Sequence, residues 1–256
     1  KAHSWAAVPL LTVEAKPKKA VRLLNPAASS RSPGTVRNAS PADVQAALDN
    51  ASVWDTPLEQ RQEVLLRAAD MLESHYGEIF ALLAREAGKG LPDCVAELRE
   101  AVDFLRYYAC QATNTPPAGC FTCISPWNFP LAIFCGQVSA ALAAGNAVLA
   151  KPAEQTPLIA FLATSLLHEA GVPRAVLQLL PGGGDVGAAL VSDPRINGVA
   201  FTGSTGTALR IRQTMAKHCT PGTTLIAETG GINAMIVDST ALPEQAVQSI
   251  VESAFQ

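Results

Sequence analysis

The sequence predicts an α/β protein built on a doubly wound parallel sheet with helices leading into it. Three observations predict this. From residue 120 onward, short apolar runs alternate with segments of helix length, the pattern of successive strand–helix units. Residues 40–111 carry helical spacing only. The 256 residues are 48% apolar and 16% charged, enough for a sizeable core and for one large domain or two small ones.

Residues 1–40 are rich in Pro, Ser, Ala and basic side chains and read as an extended arm or linker with short strands. Ser40-Pro-Ala-Asp43 is an N-cap followed by proline at the first helical position. It opens a short helix over 43–51. Apolar residues at Val64, Leu65, Ala68, Met71, Leu72 and Ile79 predict one helix over 57–87, stopped by Gly88. Val95, Leu98, Val102, Leu105 and Tyr108 predict a third helix over 92–111.

After a proline-rich loop at 114–119 the alternation begins. Strands are predicted at 120–125, 147–151, 176–180, 198–202, 223–227 and 234–237. Helices are predicted at 131–144, 157–170, 186–191, 205–216 and 243–255. Gly145 and Gly171 close the first two of these helices. No internal repeat and no low-complexity tract interrupts the pattern.

Composition excludes several classes. A net charge of −3 gives no basic footprint, and the local run 16–22 reads as a solvated arm, so nucleic acid is not an expected partner. Six cysteines lie scattered at 94, 110, 120, 123, 135 and 219, which suits free thiols in a reducing, cytoplasmic setting. Cys120-Phe-Thr-Cys123 has no second pair beside it and enters a strand that sends the two side chains to opposite faces. It reads as core, and no metal site is expected. The uncharged stretch after Tyr107 is long enough to span a membrane, but Pro116, Pro117, Pro126 and Pro130 argue against a spanning helix. The start Lys1-Ala-His-Ser has neither an initiator methionine nor an apolar leader, which reads as an internal cut or a processed end.

Several short motifs sit at strand ends, where open parallel sheets bind ligands. Gly182-Gly-Gly-Asp-Val-Gly187 follows a strand and opens a helix, so it allows close backbone approach to a phosphate; a plain helix-entry turn reads equally well, and Asp185 would repel a phosphate there. Phe201-Thr-Gly-Ser204 is either an ordinary N-cap or a phosphate-receiving turn. Lys151-Pro-Ala-Glu154 is either a surface ion pair or a ligand-binding pair at a strand end. Asn128, held between two prolines, is a turn-former or an amide donor to a developing oxyanion. Glu228 ends an apolar strand before two glycines, and is either solvated or a general base.

These motifs, in this order, resemble the cofactor-binding half of an aldehyde dehydrogenase. The resemblance implies a Rossmann-like NAD-binding domain. It implies that Ser125, Pro126 and Trp127, then Lys151, Pro152, Ala153 and Glu154, hold the cofactor. Gly184 and Gly187, the turn Phe201, Thr202, Gly203 and Ser204, and Thr229 and Gly230 complete that set. Asn128 would steady the oxyanion when a cysteine thiolate attacks the aldehyde, hydride would pass to NAD, and water activated by Glu228 would release the acid. A carboxylate at Glu154 would repel a 2′-phosphate, so NAD is expected over NADP.

The wording of 85–89, 98–109, 151–156 and 228–238 resembles one branch. That branch is the L-glutamate γ-semialdehyde (1-pyrroline-5-carboxylate) dehydrogenase module of bacterial proline utilization A, in which an upstream flavin-dependent (FAD) proline dehydrogenase domain shares the polypeptide. A homo-oligomer is implied as well. Two departures stand out. The loop 113–119 is shorter than the family's, and the family's Gly-Gln-Arg-Cys-Ser motif does not occur, so none of the six cysteines matches the nucleophile position. The expected division is an arm over 1–40, an NAD-binding domain with leading helices over 41–228, and the start of a largely absent catalytic domain over 229–256. Alternative readings are a non-catalytic assembly domain of the same fold, and an aldehyde dehydrogenase of other specificity.

Overall fold

The computed structural model of the chain describes residues 4–255. Lys1–His3 of the expected arm and Gln256 of the expected terminal segment lie outside the described residues. The arm forms a small sheet of β1 (Trp5–Ala7), β2 (Ala20–Arg22) and β3 (Gly34–Arg37), in the order β1-β3-β2. Four helices follow: α1 (Pro41–Asp49), α2 (Leu58–Ser74), α3 (Tyr76–Glu86) and α4 (Leu91–Gln111). The remainder is β4 (Cys120–Ile124), α5 (Ala132–Ala143), β5 (Ala147–Lys151), α6 (Pro157–Ala170), β6 (Leu177–Leu179), α7 (Gly184–Val191), β7 (Ile196–Gly203), α8 (Thr205–His218), β8 (Thr224–Thr229) and α9 (Pro243–Phe255).

The second sheet has five strands, ordered β6-β5-β4-β7-β8, and all its pairs are parallel. The chain builds outward from β4 through β5 to β6. It then crosses to the far side of β4 for β7 and β8. The order therefore reverses between β4 and β7, which is where open α/β sheets hold ligands, beyond the carboxyl ends of the strands.

Each face of the sheet has its own core. On one face, Leu65, Leu72, Leu105, Phe134, Leu142 and Ile159 pack α2, α4, α5 and α6 together. On the other, Val44, Leu48, Leu190, Val199, Phe201 and Ile211 join α1, α7 and α8 to the strands. Cys123 belongs to the first cluster and Cys120 packs against the second, as expected for opposite faces of β4. All six cysteines are free.

Local chemistry explains the element ends. Ser40 Oγ accepts from Asp43 N at 3.2 Å, and the Asp43 carboxylate accepts from Ser40 N at 2.8 Å, a reciprocal capping box. Gly145 (φ +80°) and Gly171 (φ +120°) supply the left-handed turns that end α5 and α6.

Two sequence expectations are corrected. The single helix over 57–87 is two, broken at His75, whose Nδ1 lies 2.8 Å from the Met71 carbonyl oxygen while its N–H is shared between Met71 and Leu72. Apolar spacing continues on both sides of the break, so periodicity could not show it. Residues 234–237 form no strand. They have β-forming composition, but among the described residues no neighbouring strand supplies the ladder that makes such a segment a strand.

Candidate functional site

A cleft of about 1160 Å³ opens beyond the carboxyl ends of β4, β5, β7 and β8. Its wall collects Ser125, Pro126, Trp127 and Asn128 after β4, and Lys151, Ala153 and Glu154 at the end of β5. Gly184 and Gly187 come from α7, Phe201, Thr202, Gly203 and Ser204 from the end of β7, and Glu228, Thr229 and Gly230 from the end of β8. Of the residues expected to hold the cofactor or to act in the reaction, Pro152 alone is off the wall; it is buried. Segments far apart in the chain meet here because parallel strands all deliver their ends to one edge.

The electrostatics sort the residues. Lys151 is buried, 5% exposed, and its Nζ lies 3.6 Å from the Glu154 carboxylate, whose side chain is 55% exposed. It is thus no surface ion pair. Burial pulls the Lys151 pKa below its ordinary value, and the Glu154 charge opposes that pull. Asp185, which could have repelled an anion, is not on the wall. Its carboxylate pairs with Lys18 Nζ at 2.7 Å, a hydrogen bond that holds it below the usual carboxylate range.

The wall has features that suit a dinucleotide. Ser125 Oγ is buried on the wall without a hydrogen-bond partner. Ser204 caps α8 by accepting from Thr207 N at 3.2 Å, so the first-turn amides of Thr205 and Gly206 stay available to an anion. A Cβ at Gly203 would meet the Phe201 ring at 2.7 Å, so that turn needs glycine. At Gly187 a Cβ would come to 3.7 Å from the Lys151 stem and 3.8 Å from Ile124, filling space beside the lysine. The amides, hydroxyls, carboxylate and buried ammonium gathered on this wall are groups that fit NAD.

The structure adds wall residues that the sequence reading missed. Ala188 and Val191 continue the helical spacing of Gly184 and Gly187 along α7, and Thr207, Arg210, Ile211 and Thr214 recur in the same way along α8. The signal was available, since a helix with one residue on a cleft presents its neighbours three, four and seven positions on. Gln137 was also missed. Its Nε2 donates to Ile124 O at 3.3 Å and to Thr202 Oγ1 at 3.0 Å, tying the ends of β4 and β7 together.

No cysteine lines the cleft. Burial pushes the Cys123 and Cys135 thiols far up and Cys120 up to about 12, which disfavours the thiolate form at all three. Among the described residues no cluster of His, Cys, Asp or Glu could hold a metal ion, and no helix is long and apolar enough to cross a membrane.

The chain is similar to known proteins over most of its length. A family model described as the aldehyde dehydrogenase family matches residues 12–256. The bifunctional protein PutA of Klebsiella aerogenes is 52% identical over 268 residues, covering 99% of this chain and 20% of that protein. The 1-pyrroline-5-carboxylate dehydrogenase of Anoxybacillus flavithermus (strain DSM 21510 / WK1) is 39% identical over 261 residues, covering 91% of this chain and 50% of that one. A solved structure of 1-pyrroline-5-carboxylate dehydrogenase from Thermus with bound NAD has a TM-score of 0.89 at 35% identity, covering 98% of this chain and 55% of that chain. The chain thus spans half the length of one curated relative and a fifth of the other.

Proposed function

The chain belongs to the aldehyde dehydrogenase family, and from that premise we propose that it is the cofactor-binding part of an NAD-dependent L-glutamate γ-semialdehyde dehydrogenase of proline catabolism. The observation that carries this reading is the single cleft in which Asn128 and Glu228 share a wall with Lys151, Glu154 and the Phe201–Ser204 turn. We divide the chain into an arm over 1–40, an NAD-binding domain over 41–228, and the beginning of the catalytic part over 229–256.

NAD supplies the hydride acceptor when bound. The protein's part is to hold and orient it. Lys151 and Glu154 take the adenosine ribose hydroxyls, and the charge of Glu154 disfavours a 2′-phosphate. The Gly203–Gly206 turn receives the pyrophosphate through backbone amides and Ser204 Oγ. Asn128 donates its side-chain amide to the oxygen that gains charge when a nucleophile adds to the aldehyde. Glu228, exposed at the end of β8 beside Thr229 and Gly230, takes a proton from the water that releases the acid.

Titration of this chain with NADH and NADPH tests the binding half: NADH binds measurably tighter, and equal affinities would remove the role given to Glu154. The catalytic half is tested in the full-length protein. Glu228→Gln gives a burst of NADH followed by slow turnover, whereas unchanged steady-state turnover would sink the general-base role.

A further inference from the structure

Behind the Asn128 loop lies a buried ion pair that the functional reading above does not use. Helix α5 starts directly after this loop, and its cap residue, Leu131, offers no side-chain acceptor to the first amides. The acceptor comes instead from α4. Glu97, with a fully buried side chain, takes Leu131 N at 2.8 Å and Ala132 N at 3.3 Å on one oxygen. Its other oxygen lies 2.7 Å from Lys89 Nζ, and the lysine side chain is only 13% exposed. The same ammonium sits 4.1 Å from the centroid of the Phe129 ring. Asn128 and Phe129 line the cleft, and Trp127, Asn128 and Phe129 are all exposed, so little other packing fixes this stretch.

We propose that Lys89 and Glu97 are positioning residues for the proposed reaction: together they clamp the start of α5 and the face of Phe129, and so hold Asn128 at the reacting end of the cleft. The chemistry favours this over a purely stabilising role. A buried ion pair roughly offsets its own desolvation and adds little net stability, whereas it fixes one arrangement of the groups it bonds. Here those groups are one aromatic face and two helix-start amides, at Phe129, Leu131 and Ala132, and they follow Asn128 directly in the chain. The cation–ring contact is directional, since the ammonium must stay above the ring to be attracted by it. Loss of the lysine charge would free Phe129, while loss of the carboxylate would free Leu131 and Ala132.

The consequence for turnover rests on the dehydrogenase reading; the clamp itself does not, and two measurements separate them. The first uses protein labelled with 5-fluorotryptophan, in which Trp127→Phe assigns the Trp127 fluorine line and buried Trp54 reports the fold. Lys89→Met should shift or broaden the Trp127 line and leave that of Trp54 in place. The second uses the full-length enzyme with its aldehyde. Lys89→Met should lower kcat by about tenfold with the Kd for NADH unchanged, because cofactor grip lies at Lys151 and Ser204. Should Lys89→Met fail to fold, Lys89→Met with Glu97→Gln removes the stranded charge and keeps an acceptor for the α5 amides; it should reproduce the Trp127 change. A folded variant with an unmoved Trp127 line overturns the clamp. A moved line with no dehydrogenase turnover in the parent overturns the functional reading and leaves the clamp standing. A moved line with unaltered kcat in an active parent overturns the positioning role.

Discussion

The two edges of the five-stranded sheet are made from similar sequence and meet different fates. β5 and β6 bury every residue, and the arm seals that edge: Leu10 and Leu179 exchange backbone hydrogen bonds of 3.0 Å each way. At the other edge, β8 buries none of its residues, Ile226 is 53% exposed, and α9 has no buried side chain although Val247, Ile250, Val251 and Phe255 are apolar. Both regions carry strand and helix signals in the sequence. The difference teaches that these signals fix local conformation, whereas burial depends on what the rest of the fold lays over each element. The arm pairs with β6 at one edge, whereas among the described residues no strand pairs with the free edge of β8. The cleft lies between the two regimes, with a rigid wall at Lys151 and a bare one at Glu228.

The contrast can be broken most directly by core deletion. Phe134→Ala in the covered half should cost about 3–5 kcal/mol in urea unfolding, while Ile236→Ala should stay within about 0.5 kcal/mol. Equal costs would erase the distinction between the two halves.

The next effect is pH-dependent and also belongs to the covered half. Glu86 ends α3 with its carboxylate buried against the start of α6, accepting from Leu158 N at 2.7 Å and Ile159 N at 2.9 Å. Burial pushes its pKa up to about 8 from an ordinary 4.5, against the pull of those two amides. A raised folded pKa means that the folded chain keeps a proton the unfolded chain releases. The Glu86 contribution is therefore complete below the unfolded value and declines as pH rises toward 8, by at most about 1.4 kcal/mol per pH unit. Glu86→Gln should flatten the fall in urea midpoint between pH 5 and pH 8; an unaltered slope would mean that the amides keep the carboxylate ionised throughout.

A smaller effect separates the two walls of the cleft. Lys151→Met should weaken NADH binding by about tenfold, or about 1.4 kcal/mol, whereas Val247→Ser in uncovered α9 should leave it unchanged in the same titration. The smallest concerns solubility. Ile232 and Ile236 are almost wholly exposed, so Ile236→Lys should reduce concentration-dependent association in sedimentation while moving the melting temperature by no more than a few degrees. Unchanged association would assign the stickiness to another surface.

Much of the candidate site was legible because its residues sit in short motifs at strand-to-helix junctions. Lys151, Ser204 and Glu228 each end or follow an apolar run, and a parallel sheet must bring such ends to one edge. Pro152 shows the limit of reading by motif, since its neighbours face the cleft and it does not. Arg210 and Thr214 escaped because they lie a turn or more beyond the motif, where only helix geometry connects them to it. Glu97 and Glu86 escaped for another reason. In the sequence each is an ordinary charged position on an amphipathic helix, and nothing nearby says that the helix start it caps lies 34 or 72 residues farther along.

What the sequence determined by itself was therefore local and periodic: the order of helices and strands, the capping box at Ser40, the glycine stops, and the set of strand ends that make the cleft. Those features depend on backbone sterics and side-chain periodicity within a few residues. Tertiary structure alone decided the strand order β6-β5-β4-β7-β8, the sealing of β6 by the arm, and the failure of 234–237 to join the sheet. It also decided which carboxylates were buried against helix starts. Each of these is a competition between distant segments for the same hydrogen bonds or the same apolar surface, and a single stretch of chain does not encode its outcome.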